Sequence, residues 1–252
     1  MHSPRHSALV IVAALAAMLA GAVALAQEQH RIYLPILASP SPPSSPTPGA
    51  ENPTFTGEGT YYVEADGGGN CSFDPTPHDL MVGAMNEEQD GNADLCGAYV
   101  SITGPKGSVT VRIVDRCPEC KHGDIDLSPQ AFDRIAERIQ GRVPISWRVV
   151  SPDISGPIAY HFKDGSNQWW TAVQVRNHRN PIAKLEYRNS AGRWVEVPRE
   201  RYNYFVQTDP GMGPGPYTFR VTDIYGNTLI DSGIPHVENG TVNGAGQFPV
   251  GP

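Results

Sequence analysis

Hydrophobic and polar residues alternate along much of the chain after residue 57, and a period of two is the pattern of half-buried β-strands. In 109–114 every second residue is Val or Ile, with Thr and Arg between them. The apolar run 98–103 precedes this segment across 104–107, which reads Gly-Pro-Lys-Gly. Because glycine and proline favour tight turns, the two segments predict a β-hairpin. Alternation at 145–149 predicts another strand.

One segment instead repeats its hydrophobic residues with the spacing of an α-helix. Four apolar residues share one face of this predicted helix: Phe132, Ile135, Ala136 and Ile139. Ser128 is a favourable N-cap, Pro129 is a favourable first residue, and Gly141 is expected to end the helix. We therefore predict one clear helix within a mainly β domain at 57–151.

The second half of the chain has the pattern of a series of short strands. A turn-rich stretch at 151–157 separates it from the first domain. Seven short apolar runs follow, most of them separated by Gly, Asn, Asp, Ser or Pro: 158–162, 169–175, 182–187, 194–197, 204–206, 217–221 and 228–230. Regularly spaced short strands are typical of β-sandwiches. The predicted fold class is all-β, with a β-sandwich domain at 152–252.

The first 56 residues have the features of targeting and linker segments. A positively charged N-terminus, an apolar run at 8–25 and the small residues before Gln27 predict a secretory signal peptide at 1–26. A membrane anchor is the alternative, because the run is about as long as a short transmembrane span. Residues 27–56 contain a Pro/Ser-rich tract and predict an extended linker. We expect a secreted, extracellular protein that is not bound to a membrane after cleavage.

An even number of cysteines in a secreted protein predicts disulfide bonds. Of the three possible pairings we favour Cys71 with Cys96 and Cys117 with Cys120. Cys117, Cys120 and His122 also have the spacing of zinc ligands, but Cys71 and Cys96 are too far apart in sequence to form a second tight pair. We therefore expect neither a metal nor a cofactor.

The charge balance narrows the possible partners. The formal net charge is −7, which argues against a nucleic-acid surface and against strong attraction to acidic polymers. We expect a monomer that has no nucleic-acid partner.

Residues 114–129, between a strand and the predicted helix, contain four carboxylates, two cysteines and a histidine. Asp115 ends the strand and Asp126 lies just before the helix cap, so this loop can bring both carboxylates to one face. Hydrolysis of a glycosidic bond normally uses two carboxyl groups, which makes Asp126 a candidate acid and Asp115 its neighbour. Asp115 is equally well explained as a residue that holds the loop through backbone N–H groups. Asp124 and Glu119 are interpreted as solvated loop charges.

Seven motifs occur in one order across both predicted domains: Gly57-Glu-Gly-Thr-Tyr-Tyr62, Gly68-Gly-Asn-Cys71, Cys96-Gly-Ala-Tyr99, Val114-Asp-Arg-Cys-Pro118, Gly123-Asp-Ile-Asp-Leu-Ser-Pro-Gln-Ala-Phe132, Trp147-Arg-Val-Val150 and Trp169-Trp-Thr-Ala-Val-Gln-Val-Arg-Asn-His178. This series resembles the bacterial expansins over nearly all of 57–249. The resemblance implies a six-stranded double-psi β-barrel, similar to that of family 45 glycoside hydrolases, followed by an immunoglobulin-like carbohydrate-binding sandwich.

The resemblance also implies roles for residues of the first domain. The Asp of the Asp-Leu-Ser motif is essential in expansins, and here it is Asp126. Thr60 and Asp115 match the polar residues beside it and complete the set of candidate catalytic residues, and Tyr61 is expected to contact the polysaccharide. Cys117 stands where relatives without cysteines often carry Tyr, so this part of the groove wall must be built differently.

Glu64 bears on whether hydrolysis is expected. Family 45 enzymes keep their catalytic base four residues after the equivalent of Thr60, and Glu64 falls at that spacing. Expansins are thought to be inactive as hydrolases because they lack this base. We interpret Glu64 as a loop acid; if it faced Asp126, the protein would be a weak endoglucanase.

In the second domain, four residues match the cellulose-binding positions of bacterial expansins: Trp169, Trp170, Tyr202 and Lys163. Aromatic rings offer rigid contact area that suits the flat C–H faces of sugars. In a regular strand Trp169 and Trp170 would point to opposite faces, which would bury Trp169. A bulge or a late strand start would expose both, and the resemblance favours exposure.

The resemblance therefore implies a secreted expansin that binds cellulose and loosens plant cell-wall polysaccharide networks without hydrolysis. Its expected partners are cellulose and associated wall polysaccharides. The alternative is a weak endoglucanase or lytic glycosidase that uses Asp126 with Glu64. A binding module without loosening activity is a third interpretation.

Overall fold

The computed structural model describes residues 52–252 of the chain. The predicted signal peptide at 1–26 and residues 27–51 of the predicted linker lie outside the described residues. Within 52–252 no helix is both long enough and apolar enough to cross a membrane. The first strand begins at Phe55, slightly before the expected start of the first domain at residue 57.

Six strands close into a barrel: β1 (Phe55–Tyr61), β2 (Val82–Asn86), β3 (Tyr99–Gly104), β4 (Gly107–Cys117), β5 (Ile125–Leu127) and β6 (Val143–Val150). Their order around the barrel is β1-β5-β2-β4-β3-β6. β1 is parallel to β5 and β2 is parallel to β4, whereas the other neighbours are antiparallel. The prediction of a six-stranded barrel is confirmed.

Alternate side chains of these strands point inward and form the barrel core. Val111 and Ile113 of β4 are fully buried, as the alternation in this strand predicts. Trp147 of β6 is also buried and donates its indole N–H to the carbonyl oxygen of Gly123 at 2.8 Å. Burial of side chains of this size contributes about 1.5–3 kcal/mol each. The core therefore fixes the loop that leads into β5.

The helical segments are shorter than the sequence pattern predicts. They are α1 (Glu87–Asp90), α2 (Pro129–Ile135) and a 3-10 turn (Arg138–Gln140). Ser128 caps α2 as predicted, accepting a hydrogen bond from the Ala131 N–H at 3.0 Å. The prediction that Ile139 belongs to the buried stripe is wrong, because its side chain is 96% exposed. The N–H of Lys106 in the β3–β4 turn donates to the Ile135 carbonyl at 2.8 Å, and the helix stops there.

Eight strands form the second half of the described chain: β7 (Ala159–Phe162), β8 (Trp170–Arg176), β9 (Ile182–Arg188), β10 (Trp194–Val197), β11 (Phe205–Thr208), β12 (Tyr217–Asp223), β13 (Thr228–Ile234) and β14 (Thr241–Asn243). They make two sheets, β10-β9-β12-β13 and β11-β8-β7-β14. The seven predicted strands and the sandwich are confirmed. β14 was not predicted, because three residues carry no periodicity and the strand exists through its pairing with β7.

Both favoured disulfides are present: Cys71–Cys96 and Cys117–Cys120. The loop around Cys71 also carries hydrogen bonds between the barrel and the sandwich. Gln174 of β8 donates its Nε2 to the Cys71 carbonyl at 2.8 Å, and Asn70 donates its Nδ2 to the Arg201 carbonyl at 2.8 Å. The first disulfide therefore holds a loop that connects the two halves.

His178 is a buried residue of the sandwich whose protonation opposes folding. Its side chain is 3% exposed, and its Nδ1 donates to the Asn180 carbonyl oxygen at 2.8 Å. Burial lowers the pKa of His178 from 6.5 to about 4, and the hydrogen bond to Asn180 offsets only part of this effect. At pH 5 the native state therefore keeps the imidazole neutral, whereas the unfolded chain protonates it.

We expect His178 to make the protein less stable as the pH falls from 6.5 to 4. The unfolded state takes up a proton in this pH range and the native state does not. The contribution of His178 to the free energy of unfolding therefore falls by about 3 kcal/mol. Asparagine at this position keeps a donor for the Asn180 carbonyl but cannot titrate. In urea denaturation at several pH values, His178→Asn should have a shallower pH dependence than the wild type. Equal slopes in the two proteins would contradict this assignment.

Candidate functional site

Residues on four neighbouring strands lie in one row across the barrel wall. Thr60 of β1 pairs in register with Asp126 of β5. Ala84 of β2 pairs with Asp126 on one side and with Asp115 of β4 on the other. The register thus places three candidate catalytic residues in one row, with Ala84 between the two aspartates.

Asp126 projects from the barrel wall because its neighbours on β5, Ile125 and Leu127, point into the core and are fully buried. Thr60 donates its Oγ1 to Asp126 Oδ1 at 2.5 Å. Burial raises the pKa of Asp126, the Thr60 hydrogen bond lowers it, and the charge of Glu119 raises it further, with a net rise. A raised pKa keeps the proton on a carboxyl group up to a higher pH than usual, and a protonated carboxyl group can donate a hydrogen bond.

A groove of about 480 Å³ opens in front of Asp126. Ten residues line it: Glu58, Thr60, Tyr61, Cys117, Glu119, Cys120, Lys121, Asp124, Asp126 and Arg142. Four of these carry carboxyl groups and two carry positive charges, so the groove is acidic when its carboxyl groups are ionised. An acidic cleft repels anionic polymers. The groove therefore suits a neutral ligand better than a polyanion.

Asp115 is not among the residues that line the groove. Its Oδ1 accepts hydrogen bonds from the backbone N–H groups of Asn70 at 2.6 Å and Arg116 at 2.8 Å. One strand separates Asp115 from Asp126, which places their strand axes roughly 10 Å apart. Catalytic carboxyl groups lie about 5–5.5 Å apart in retaining and about 6.5–9.5 Å apart in inverting glycosidases, so the strand spacing does not decide the role of Asp115. Its absence from the groove lining and its two backbone hydrogen bonds do. The geometry favours the interpretation of Asp115 as a residue that holds the loop.

Glu64 lies in an exposed turn and is not among the groove-lining residues. β1 ends at Tyr61, so the first strand does not extend to Glu64. The chain turns before Glu64, so spacing from Thr60 does not carry its side chain to Asp126. The interpretation of Glu64 as a loop acid agrees with this position.

The two other loop carboxylates differ from each other. Glu119 is exposed, as expected for a solvated loop charge. The same interpretation is wrong for Asp124, which is 8% exposed and accepts hydrogen bonds from the N–H groups of Glu58 at 2.8 Å and Lys121 at 3.2 Å. Asp124 is buried because it supplies the acceptors that these two backbone groups need. It shapes the groove floor through the backbone.

Sequence reasoning did not identify Arg142 or Glu58 as groove residues. Arg142 donates its Nη1 to Glu58 Oε2 at 2.5 Å, and both side chains are solvent-accessible. The two residues meet because β1 and β6 are antiparallel, with Gly59 opposite Val143. No local sequence signal marks this contact, since it depends on strand pairing across the barrel.

Tyr61 lies at the edge of the groove, beside Thr60. Its ring packs against Phe132 of α2, with the ring centroids 5.0 Å apart, and the guanidinium carbon of Arg138 lies 6.0 Å from the Tyr61 centroid. The ring is half-buried and held in place by these neighbours. Its position in the lining is compatible with the predicted contact to a polysaccharide.

The Cys117–Cys120 disulfide forms part of the groove wall. The alternative of a zinc site at Cys117, Cys120 and His122 is not supported, because the two sulfur atoms are bonded to each other. His122 instead contacts Phe55, with ring centroids 6.0 Å apart. This pair of cysteines closes the turn that presents Glu119.

The two adjacent tryptophans lie at the start of β8, with Trp169 outside the strand and Trp170 as its first residue. The Oδ1 atom of Asn167 accepts hydrogen bonds from the backbone N–H groups of Trp169 and Trp170, at 2.9 and 3.1 Å. These bonds stabilise the turn before the strand. Trp169 is 67% exposed. Because β8 starts only at Trp170, Trp169 is not part of the strand and is not buried in the core. This late strand start is one of the two explanations for its exposure given by the sequence.

Trp170 and Tyr202 are half-buried and pack against one small cluster on the outer face of the β11-β8-β7-β14 sheet. The ring centroids of Tyr202 and the buried Tyr204 are 5.9 Å apart. Lys163 places its Nζ 5.8 Å from the centroid of the Tyr204 ring. Three of the four predicted polysaccharide-binding residues of the sandwich, Trp170, Tyr202 and Lys163, thus surround one patch that Tyr204 supports. Trp169 is the exposed residue that precedes Trp170 in the chain.

The chain has sequence relatives among known proteins. The family model described as lytic transglycolase matches residues 82–147. The chain is 40% identical to Expansin-YoaJ of Bacillus subtilis (strain 168) over 203 aligned residues. The aligned region covers 77% of this chain and 86% of that protein. It is 32% identical over 186 residues to Expansin-like protein 2 of Dictyostelium discoideum, with 69% of this chain and 45% of that protein covered.

Solved structures with the same architecture are also similar to the chain. The expansin of Clavibacter michiganensis matches with a TM-score of 0.72 and 33% identity, covering 78% of this chain and 99% of that one. A variant of the same expansin, solved in complex with cellohexaose, matches with the same TM-score and coverage. The barrel followed by a sandwich is shared with these structures.

Proposed function

We propose that this chain, which belongs to the expansin family, is a secreted, monomeric protein that binds cellulose and loosens plant cell-wall polysaccharide networks without hydrolysing them. Family membership supports the general function of an expansin-like cell-wall loosening protein. Cellulose as the ligand and the absence of hydrolysis are inferences from the site. Asp126 is the residue on which they depend.

The state of the carboxyl groups around Asp126 is the observation that carries the proposal. A glycosidase requires a second carboxyl group held in position as base or nucleophile. Both carboxylate oxygens of Asp124 already accept backbone hydrogen bonds, and Glu58 is paired with the Arg142 cation, so neither carboxylate is free to act as base or nucleophile. Glu119 lies on an exposed turn and makes no hydrogen bond within residues 52–252 that would fix its carboxylate. Asp126 therefore lacks a catalytic partner that is both positioned and free to react.

The expected action of Asp126 is competition for hydrogen bonds. Glucan chains associate through their hydroxyl groups, and a protonated Asp126 both donates and accepts hydrogen bonds with such groups. Thr60 keeps the carboxyl group oriented by donating to Oδ1, which leaves Oδ2 for the ligand. A glucan strand in the groove would exchange contacts with its neighbour for contacts with the protein, and no covalent bond would break.

Two features support a neutral glucan as the ligand. The groove carries more carboxyl groups than cations, which disfavours anionic polysaccharides. The aromatic patch of the sandwich offers exposed ring area at Trp169, which suits the faces of glucose rings. The structure of a related expansin in complex with cellohexaose agrees with this ligand class.

The absence of hydrolysis is tested by measuring wall extension and reducing-sugar release on one preparation. We expect the protein to extend isolated cell walls and to release no reducing sugar from soluble glucan above a heat-inactivated control. Reducing-sugar release that is lost in Glu119→Gln or Glu64→Gln would overturn the proposal in favour of an endoglucanase. Cellulose adsorption without wall extension would instead indicate a binding module.

A further inference from the structure

A second cavity, of about 220 Å³, lies between the barrel and the sandwich and shares no lining residue with the Asp126 groove. Phe73, Tyr99 and Arg112 line it from the barrel, and Arg176 and His178 line it from the sandwich. A neighbouring cavity of about 350 Å³ also contains Tyr99 and Arg112 in its lining, together with the carboxylate of Asp79. Arg112 therefore faces open space on both sides.

Arg112 is a half-buried cation that forms no ion pair within residues 52–252, although the Asp79 carboxylate lies close enough to act on its charge. It lies on β4, and its guanidinium carbon is 4.8 Å from the centroid of the Phe73 ring. Its side chain makes no hydrogen bond or ion pair with any group of residues 52–252. Other arginines between the two halves are paired, such as Arg199 with Asp94 at 3.2 Å. Removing a cation from water without a partner is unfavourable, and an anionic ligand would compensate for it.

Arg176 adds a second positive charge to the cavity wall. Its Nη1 is bonded to Asp74 Oδ2 at 2.6 Å and its Nε to Gln174 Oε1 at 2.5 Å. These contacts fix the side chain and compensate its charge in part, because Asp74 is largely exposed to solvent. Arg112 is therefore the main anion-binding group, and Arg176 provides a rigid wall of the same sign.

His178 gives the cavity a hydrogen-bond acceptor. Because Nδ1 donates to the Asn180 carbonyl, the neutral ring carries no proton on Nε2, which accepts hydrogen bonds and repels a bare anion. The backbone of Gly97 lies against this nitrogen, and a Cβ at position 97 would be 2.6 Å from Nε2. Glycine therefore leaves the lone pair accessible in the cavity.

We propose that this cavity binds a small oxyanion that also carries a hydroxyl group. The oxygens would accept from the Arg112 guanidinium, the hydroxyl would donate to His178 Nε2, and Phe73 and Tyr99 would cover the apolar side. Monohydrogen phosphate and the carboxylate of a sugar acid share this chemistry. The volume corresponds to several water molecules of about 30 Å³ each, which is room for such an ion.

Isothermal titration calorimetry of the full chain near pH 7, at constant ionic strength, tests the proposal. The probes are inorganic phosphate, glucuronate, sulfate and glucose. We expect phosphate or glucuronate to bind, and sulfate to bind at least about tenfold more weakly because it lacks a hydroxyl donor. The tighter-binding of phosphate and glucuronate shows whether the natural ligand is a phosphate or a sugar acid. Glucose should not bind, because it carries no negative charge.

Variants separate this site from general effects of salt. Arg112→Gln should lose binding, Arg112→Lys should retain part of it, and Arg148→Gln, which removes an exposed barrel arginine, should bind as the wild type does. In thermal unfolding, the tighter-binding of phosphate and glucuronate should raise the melting temperature of the wild type more than that of Arg112→Gln. Absence of binding by every probe, binding that survives in Arg112→Gln, or an affinity for sulfate equal to that for the tighter of phosphate and glucuronate would each overturn the proposal.

Discussion

Replacement of Asp126 with alanine is expected to abolish wall extension and to leave adsorption to cellulose nearly unchanged. The variant loses the one groove carboxyl group that Thr60 orients and whose pKa burial raises. A hydrogen bond of a neutral carboxyl group contributes about 0.5–1.5 kcal/mol, and the variant loses a donor and an acceptor together, so extension should fall about tenfold. Adsorption should persist because the aromatic patch lies on the sandwich and not in the groove.

Glu64→Ala is the matched control for Asp126→Ala. It removes a carboxyl group three residues after β1, from an exposed turn that does not line the groove. Wall extension should therefore remain at the wild-type level. Asp126→Ala should keep its fold, because the side chain lost makes one hydrogen bond within residues 52–252, to the Thr60 hydroxyl. Near-UV circular dichroism checks this. An Asp126→Ala variant that still extends walls would refute the assigned role.

The pH dependence of extension gives a second measure of the same residue. Burial raises the pKa of Asp126, so its protonated form persists to higher pH than that of an ordinary carboxyl group. If the protonated form donates to the glucan, extension should increase as the pH falls through this pKa. Residual activity in Asp126→Ala should lack this component. A wild-type profile that rises with pH would contradict the donor role.

The position of Asp126 is predictable from the sequence because local rules determine it. Apolar residues on both sides of Asp126 fix the face to which its side chain points, and Ser128 marks the start of α2. The end of α2 is not predictable in this way. Lys106, on a hairpin distant in sequence, takes the Ile135 carbonyl, and the apolar Ile139 is left exposed.

The rest of the groove depends on contacts between distant parts of the chain. Arg142 and Glu58 are 84 residues apart and meet only through the pairing of β1 with β6. The spacing of Glu64 from Thr60 suggests a catalytic pair only if the strand continues, and β1 ends before Glu64 is reached. Sequence spacing therefore identifies the candidate acid, whereas strand ends and pairings decide what surrounds it.

The largest loss of cellulose binding is expected when Trp169 and Tyr202 are both replaced with alanine. Trp169 is 67% exposed, and Tyr202 is half-buried beside Trp170 and Tyr204. Truncation of an aromatic anchor at a binding surface commonly costs about 2 kcal/mol or more, so the affinity should fall by at least about tenfold. Adsorption isotherms on microcrystalline cellulose measure the change. Folding should be retained because Trp169 contributes little to the core.

Trp194→Ala is the matched control for the aromatic patch. Trp194 is a half-buried tryptophan of the same sandwich, but it lies on β10 in the other sheet, where the guanidinium carbon of Arg220 is 4.5 Å from its ring centroid. Its removal should leave cellulose adsorption unchanged, because the patch on the β11-β8-β7-β14 sheet stays intact. If Trp194→Ala reduced adsorption as strongly as the double variant, general loss of sandwich structure would explain both results. If the double variant bound as the wild type does, cellulose would contact another surface.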